Sequence, residues 1–237
     1  MDEILKKIYD KYIKSKMKYI LVIFIYILYQ SNFLISLIYS LGINLNNIPK
    51  YLNRIILISN DLIFVLILLF MFKKEIKKGL QELKKNFSSN ALLSLNCWVV
   101  GSLIMSISSI LISLVTKQDT SSNEALVRQS IMKAPIYMLF TCSIVAPILE
   151  EMTFRRALKG IINNKWIFIL ASGLVFGLLH VIGVENKTFF DYLYVIPYGS
   201  MGCCFAYLLS KTNNITLPII VHMLHNTILV LFQIIRG

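Results

Sequence analysis

The feature that most constrains this sequence is a series of seven apolar runs, each long enough to cross a bilayer, separated by short polar segments rich in lysine. They fall at residues 19–42, 55–72, 91–115, 134–158, 166–183, 192–210 and 215–235. A membrane-spanning helix needs about 20 mostly apolar residues. Within lipid every backbone N–H and C=O must find a partner in the protein, so runs of this length become helices. The chain is 57% hydrophobic and only 15% charged over 237 residues. A water-soluble domain of this size could not hide that much apolar surface. The expected fold is therefore all-α: a polytopic membrane protein with about seven transmembrane helices.

The formal net charge of +12 raises the question of a nucleic-acid partner. The distribution of the charge excludes one, because the cations lie between apolar runs, where they anchor against anionic lipid and set topology. Of the 24 Lys and Arg residues, 17 lie in segments 1–18, 73–90, 155–165 and 211–214. The positive-inside rule places those segments, and the N-terminus, in the cytoplasm. Residues 1–18 form a basic cytoplasmic segment that can lie as an amphipathic helix on the membrane. No small-residue cleavage site follows it, and the next run is too long for a signal-peptide core. Richness in Ile, Lys and Asn fits an AT-rich, bacterial genome and a plasma-membrane location. The four cysteines, Cys97, Cys142, Cys203 and Cys204, sit inside apolar runs with no metal or disulfide spacing, and are read as small core residues.

Three parts follow the basic segment. Residues 19–115 hold three N-terminal spans, with a short cytoplasmic helix at 73–90. Segment 117–133 reads as an external loop with room for one helical turn. Residues 130–235 hold every motif described below. In the sixth span Gly199 and Gly202 permit close helix packing. Phe189, Phe190, Tyr192 and Tyr194 read as an interfacial aromatic belt.

Ionisable side chains within a span are costly, and each is a functional candidate. Here they are Asp61, Glu150, Glu151, His180, His222 and His225. Glu151 and Arg155 are four apart with the acid first, the favoured order for an ion pair on one helix face. Glu150 points about 100° away around the helix and is left unpaired. Pro147 is expected to bend this helix and open a cavity. Phe176 and His180 share a face of span five, and His222 and Asn226 share one of span seven. At a rise of about 1.5 Å per residue, Glu150, His180, His222 and Asn226 all fall roughly 10–20 Å below the cytoplasmic boundary, close to a common layer. A carboxylate and an imidazole around one water can make a hydrolytic nucleophile. A second imidazole and an amide can donate to an oxyanion. Glu150, His180 and His222 are also a conceivable zinc set; a metal-free site is favoured, with no cofactor. His225 reads as a hydrogen-bonded packing residue, and Asp61 as a structural or proton-path residue.

The three clusters resemble the motifs of the CAAX-protease and bacteriocin-processing family of intramembrane endopeptidases. Glu150-Glu151-Met152-Thr153-Phe154-Arg155 resembles the first motif, Phe176-x-x-x-His180 the second, and His222-x-x-x-Asn226 after Pro218 the third. They occur in the family's order on three spans, over about residues 130–235. The resemblance implies a core of four helices in which Glu150 and His180 activate water, His222 and Asn226 stabilise the oxyanion, and Glu151 and Arg155 support them. It implies a hydrophobic peptide or membrane protein as substrate, with roles in peptide maturation, pheromone processing or bacteriocin self-immunity. Two rivals differ in class: a non-catalytic bacteriocin-immunity binding protein of the same fold, and a proton-coupled transporter. The absence of an internal repeat argues against the transporter.

Overall fold

The computed structural model describes residues 2–185 and 187–236, with side chains from Lys16 onward. Among these there is no β-strand, and the molecule is an all-α, multi-pass membrane protein. Ten helices follow one another: α1 (Asp2–Gln30), α2 (Phe33–Ser40), α3 (Lys50–Met71), α4 (Lys73–Lys85), α5 (Phe87–Thr116), α6 (Ser122–Lys133), α7 (Pro135–Ile161), α8 (Lys165–Ile182), α9 (Val195–Thr212) and α10 (Thr216–Arg236). A 3₁₀ stretch, Phe189–Tyr194, leads into α9. Six of these elements are long and apolar enough to cross a bilayer. The seventh expected span corresponds to the α1–α2 pair, bent by 50°. Large apolar side chains such as Leu103, Ile107 and Leu114 on α5 stay exposed, as a lipid-facing surface requires.

The first span is therefore not one straight helix. The chain breaks at Ser31-Asn32, where Asn32 takes the left-handed conformation at φ 52°, one that Asn tolerates better than most residues. Residues 2–18 are not a separate surface helix either. They continue without interruption into α1, and the lysine side chains before Lys16 lie outside the described residues. Segment 117–133 also carries more structure than expected. Ser121 caps α6 by accepting from the Glu124 N–H at 3.1 Å, and Glu124 pairs with Arg128 one turn on, so a 12-residue helix forms. Of the expected aromatic belt, Phe189, Phe190 and Tyr192 are exposed, but Tyr194 is buried against Ile112 and Val181.

Close contact between α8 and α9 depends on glycine. A Cβ added to Gly173 would lie 2.7 Å from the Gly199 carbonyl, and one on Gly177 2.5 Å from the Val195 carbonyl. At the lysine-rich end Glu75 of α4 joins Lys18 of α1, at 3.6 Å, to Arg156 of α7. The Gly79 carbonyl of α4 accepts from Asn214, in the turn before α10, at 2.9 Å. The first three spans are thus tied to the last four.

Candidate active site

Helix α7 brings the acidic pair into the core through an altered backbone. Thr141–Val145 and Glu151–Ala157 are π-helical, flanking a short α-helical stretch with Pro147. Proline lacks an N–H and clashes with the preceding turn of an α-helix. Here the turn before Pro147 is widened into a π-turn, where a bend and a cavity were expected. π-turns within α-helices occur often at functional sites.

The expected ion pair is present and fully buried. Arg155 Nε lies 3.2 Å from Glu151 Oε2, both side chains having no exposure. The Arg155 guanidinium also stands over the rings of Phe176 at 4.3 Å and Phe205 at 5.4 Å, where cation–π attraction offsets part of its desolvation. Glu151 does more than balance Arg155. Its Oε1 lies 2.9 Å from His222 Nδ1. A carboxylate only accepts, so Nδ1 carries the hydrogen and donates it. The opposite ring nitrogen, His222 Nε2, stands 3.8 Å from Glu150 Oε2. Phe205 stacks on the imidazole, with centroids 4.7 Å apart and planes at 25°, so the ring is fixed in plane and rotation. Glu150 is 14% exposed while Glu151 is sealed; of the two acids, Glu150 is the one a water can reach.

His180 is oriented independently. Its Nδ1 is 2.8 Å from the Phe176 carbonyl, which can only accept. The hydrogen therefore sits on Nδ1, and Nε2 keeps a free lone pair. The ring is held between Phe176, at 4.4 Å, and Tyr198, stacked at 4.7 Å and 25°. No hydrogen bond or ion pair joins His180 to Glu150 among the described residues; Phe176, in ring contact with both His180 and His222, links the two halves of the site. Asn226, one turn from His222 on α10, donates Nδ2–H to the Cys142 carbonyl at 2.8 Å. His225 accepts from Trp98 Nε1–H of α5 at 3.2 Å, a packing role as expected. Asp61 is buried and accepts from the hydroxyls of Tyr29, Tyr137 and Thr141, joining α1, α3 and α7.

The set that zinc would use does not converge. Among the described residues no three His, Cys, Asp or Glu side chains are grouped so as to hold a metal ion. Glu150, His180 and His222 as placed do not form a metal shell.

Several residues at this site carry no spacing signal in the sequence. Tyr198 stacks on His180 and is anchored in turn by Ser121, 2.8 Å from its hydroxyl, and by Asn123 at 3.3 Å. Tyr26 of α1 meets Phe154 edge-on at 4.9 Å, so the first span lines the motif helix. Nothing but the apolar character of their runs marked these positions.

The sequence profile described as "Type II CAAX prenyl endopeptidase Rce1-like" matches residues 132–228, the stretch that holds Glu150, Glu151, Arg155, His180, His222 and Asn226. Over 205 residues the chain is 30% identical to the membrane-embedded CAAX protease MroQ of Staphylococcus aureus, covering 82% of this chain and 78% of that protein. It is 33% identical over 117 residues to the putative membrane peptidase YdiL of Bacillus subtilis, covering 48% of this chain and 44% of that one. The chain thus spans less than half the length of YdiL. Over 83 residues it is 32% identical to the UPF0177 protein YxdF of Lactococcus lactis, covering 35% and 42% of the two chains. No solved structure matches it significantly.

Proposed function

Because the chain belongs to the Rce1-like CAAX-protease and bacteriocin-processing family, we propose that it is an intramembrane endopeptidase that cuts a hydrophobic peptide or a membrane protein. The observation that carries this reading is the position of Glu150. Its carboxylate is partly open and 3.8 Å from His222 Nε2, while the neighbouring acid is sealed against Arg155 and His222.

Glu150 takes a proton from a water molecule, and the oxygen attacks the scissile carbonyl; the role assigned to His180, through its free Nε2, is to orient that water once substrate is bound. The C=O becomes an oxyanion. Asn226 donates to it through the amide hydrogen not used on Cys142. His222 donates through Nε2, which it can do only as an imidazolium, since Nδ1–H is already committed to Glu151. Glu150 then passes its proton to the amine as the C–N bond breaks. No metal enters this scheme, and chelators are expected to leave the rate unchanged. The membrane orientation proposed is N-terminus cytoplasmic, in a bacterial plasma membrane, which reporter fusions at 42–49 and 73–86 test. Peptide maturation, pheromone processing or bacteriocin self-immunity is the cellular role.

The experiment is to make Glu150→Gln and His180→Ala separately and confirm normal membrane levels. Cleavage of a pool of fluorescence-quenched apolar peptides in proteoliposomes is then measured. Both variants should lose at least ~100-fold in rate. Full cleavage by both at normal levels would overturn the proposal. Cell protection retained by both in a bacteriocin challenge would then point to a non-catalytic binding protein.

A further inference from the structure

We infer that Pro147 is a positioning residue for Asn226: by withholding an N–H from the α7 ladder, it leaves the Cys142 carbonyl to hold the Asn226 amide. This rests on the role proposed above for Asn226.

The argument follows the backbone bonds. Thr141–Val145 is π-helical, and the Ala146 N–H reaches back five residues to the Thr141 carbonyl. The next bond in that register would run from residue 147 to the Cys142 carbonyl. Residue 147 is proline and has no N–H to give. A carbonyl left without a partner at membrane depth is costly, and Cys142 is satisfied from another helix, by Asn226 Nδ2–H at 2.8 Å.

That bond fixes the amide. The Cys142 carbonyl only accepts, so the nitrogen of Asn226 must face it and the amide oxygen must point away. One N–H is consumed and the other is held in a set direction, one helical turn along from the His222 ring that faces Glu150. A flipping amide would offer the oxyanion its oxygen half of the time. The proline touches no reacting atom; its contribution is the absence of a hydrogen bond donor.

Pro147→Ala restores that donor, and alanine is a better helix former than proline, so the helix itself is not endangered. With the Cys142 carbonyl served from within α7, Asn226 loses its anchor. The rate constant kcat should fall roughly 10- to 100-fold with KM unchanged. A spectroscopic readout separates this from general damage. In a chain whose other three cysteines are alanine, ¹³C-carbonyl cysteine reports on Cys142 alone by infrared absorption. Asn226→Ala should move that band to higher wavenumber when residue 147 is proline and leave it in place when residue 147 is alanine. A band indifferent to Asn226→Ala in the proline background would overturn the inference. So would full kcat in Pro147→Ala alongside inactivity of Asn226→Ala. Full activity of Asn226→Ala would instead remove Asn226 from the reaction, while the infrared result would still decide whether the proline directs its amide.

Discussion

His222 stands between two consecutive carboxylates, donating Nδ1–H to Glu151 at 2.9 Å and turning Nε2 toward Glu150 at 3.8 Å. Adjacent residues of one helix thereby acquire opposite duties. Glu151 has no exposure and shares its charge between Arg155 and His222, while Glu150 is partly exposed.

The two acids should therefore fail differently when removed. Glu151→Ala strands the Arg155 guanidinium in the core, and breaking a buried pair costs about 3–5 kcal/mol. The expected outcome is loss of folded protein, read as low membrane levels and a collapsed melting curve in detergent. Glu150→Ala should leave levels and melting near those of the parent while abolishing cleavage. The opposite ranking of the two melting curves would contradict the assignment.

Tyr198 is expected to act through His180. Tyr198→Phe keeps the stacked ring but deletes the hydroxyl shared with Ser121 and Asn123, a net loss of about 1 kcal/mol. Activity should fall modestly, by about 3- to 10-fold. Tyr198→Leu removes the stack as well and should lower it further. Cleavage rates of the two variants at matched protein levels check the order.

Asp61 should matter for assembly and not for turnover. It takes three hydroxyl bonds from α1 and α7, and bonds to a charged group are worth about 1.5–3 kcal/mol each. Asp61→Ala is expected to lower the thermal midpoint in detergent. Asp61→Asn, which can still accept, should recover most of it. Specific activity per folded molecule should stay within about twofold of the parent, because an isolated change outside the site leaves the reacting groups in place.

Gly173→Ala and Gly177→Ala should each push α8 from α9, since the new methyl would meet backbone carbonyls at 2.7 and 2.5 Å. Overpacking of this kind costs about 1–3 kcal/mol. Gly183→Ala, whose added carbon would meet only the Leu179 carbonyl at 3.4 Å, serves as the mild control in the same melting assay.

Much of this was legible from the chain alone, and the reasons differ between elements. Span lengths follow from bilayer thickness, so six spans could be read from apolar runs, while the 50° bend within the first left no mark in its hydropathy. The Glu151–Arg155 pair was legible because four-residue spacing survives even in a widened helix. The aromatic residues were not. Tyr26, Trp98 and Tyr198 sit in the same apolar context as side chains that face lipid, and spacing cannot tell an inward ring from an outward one. Pro147 was read as a bend because a π-turn leaves no signature in residue type. Helix α6 was underestimated because its stability comes from Ser121 and from tertiary anchors: the Ser122 N–H and hydroxyl both reach Asp191 of the 3₁₀ stretch.

The joining of α1, α3, α4 and α5 to the motif-bearing helices has a practical corollary. A fragment begun near residue 130 would carry every motif, yet Tyr137 and Thr141 would lose their carboxylate, Phe154 its tyrosine neighbour and His225 its indole donor. The stretch that makes the family recognisable is thus narrower than the stretch that must be expressed together: minimal versions of the protein have to retain the helices that no motif describes.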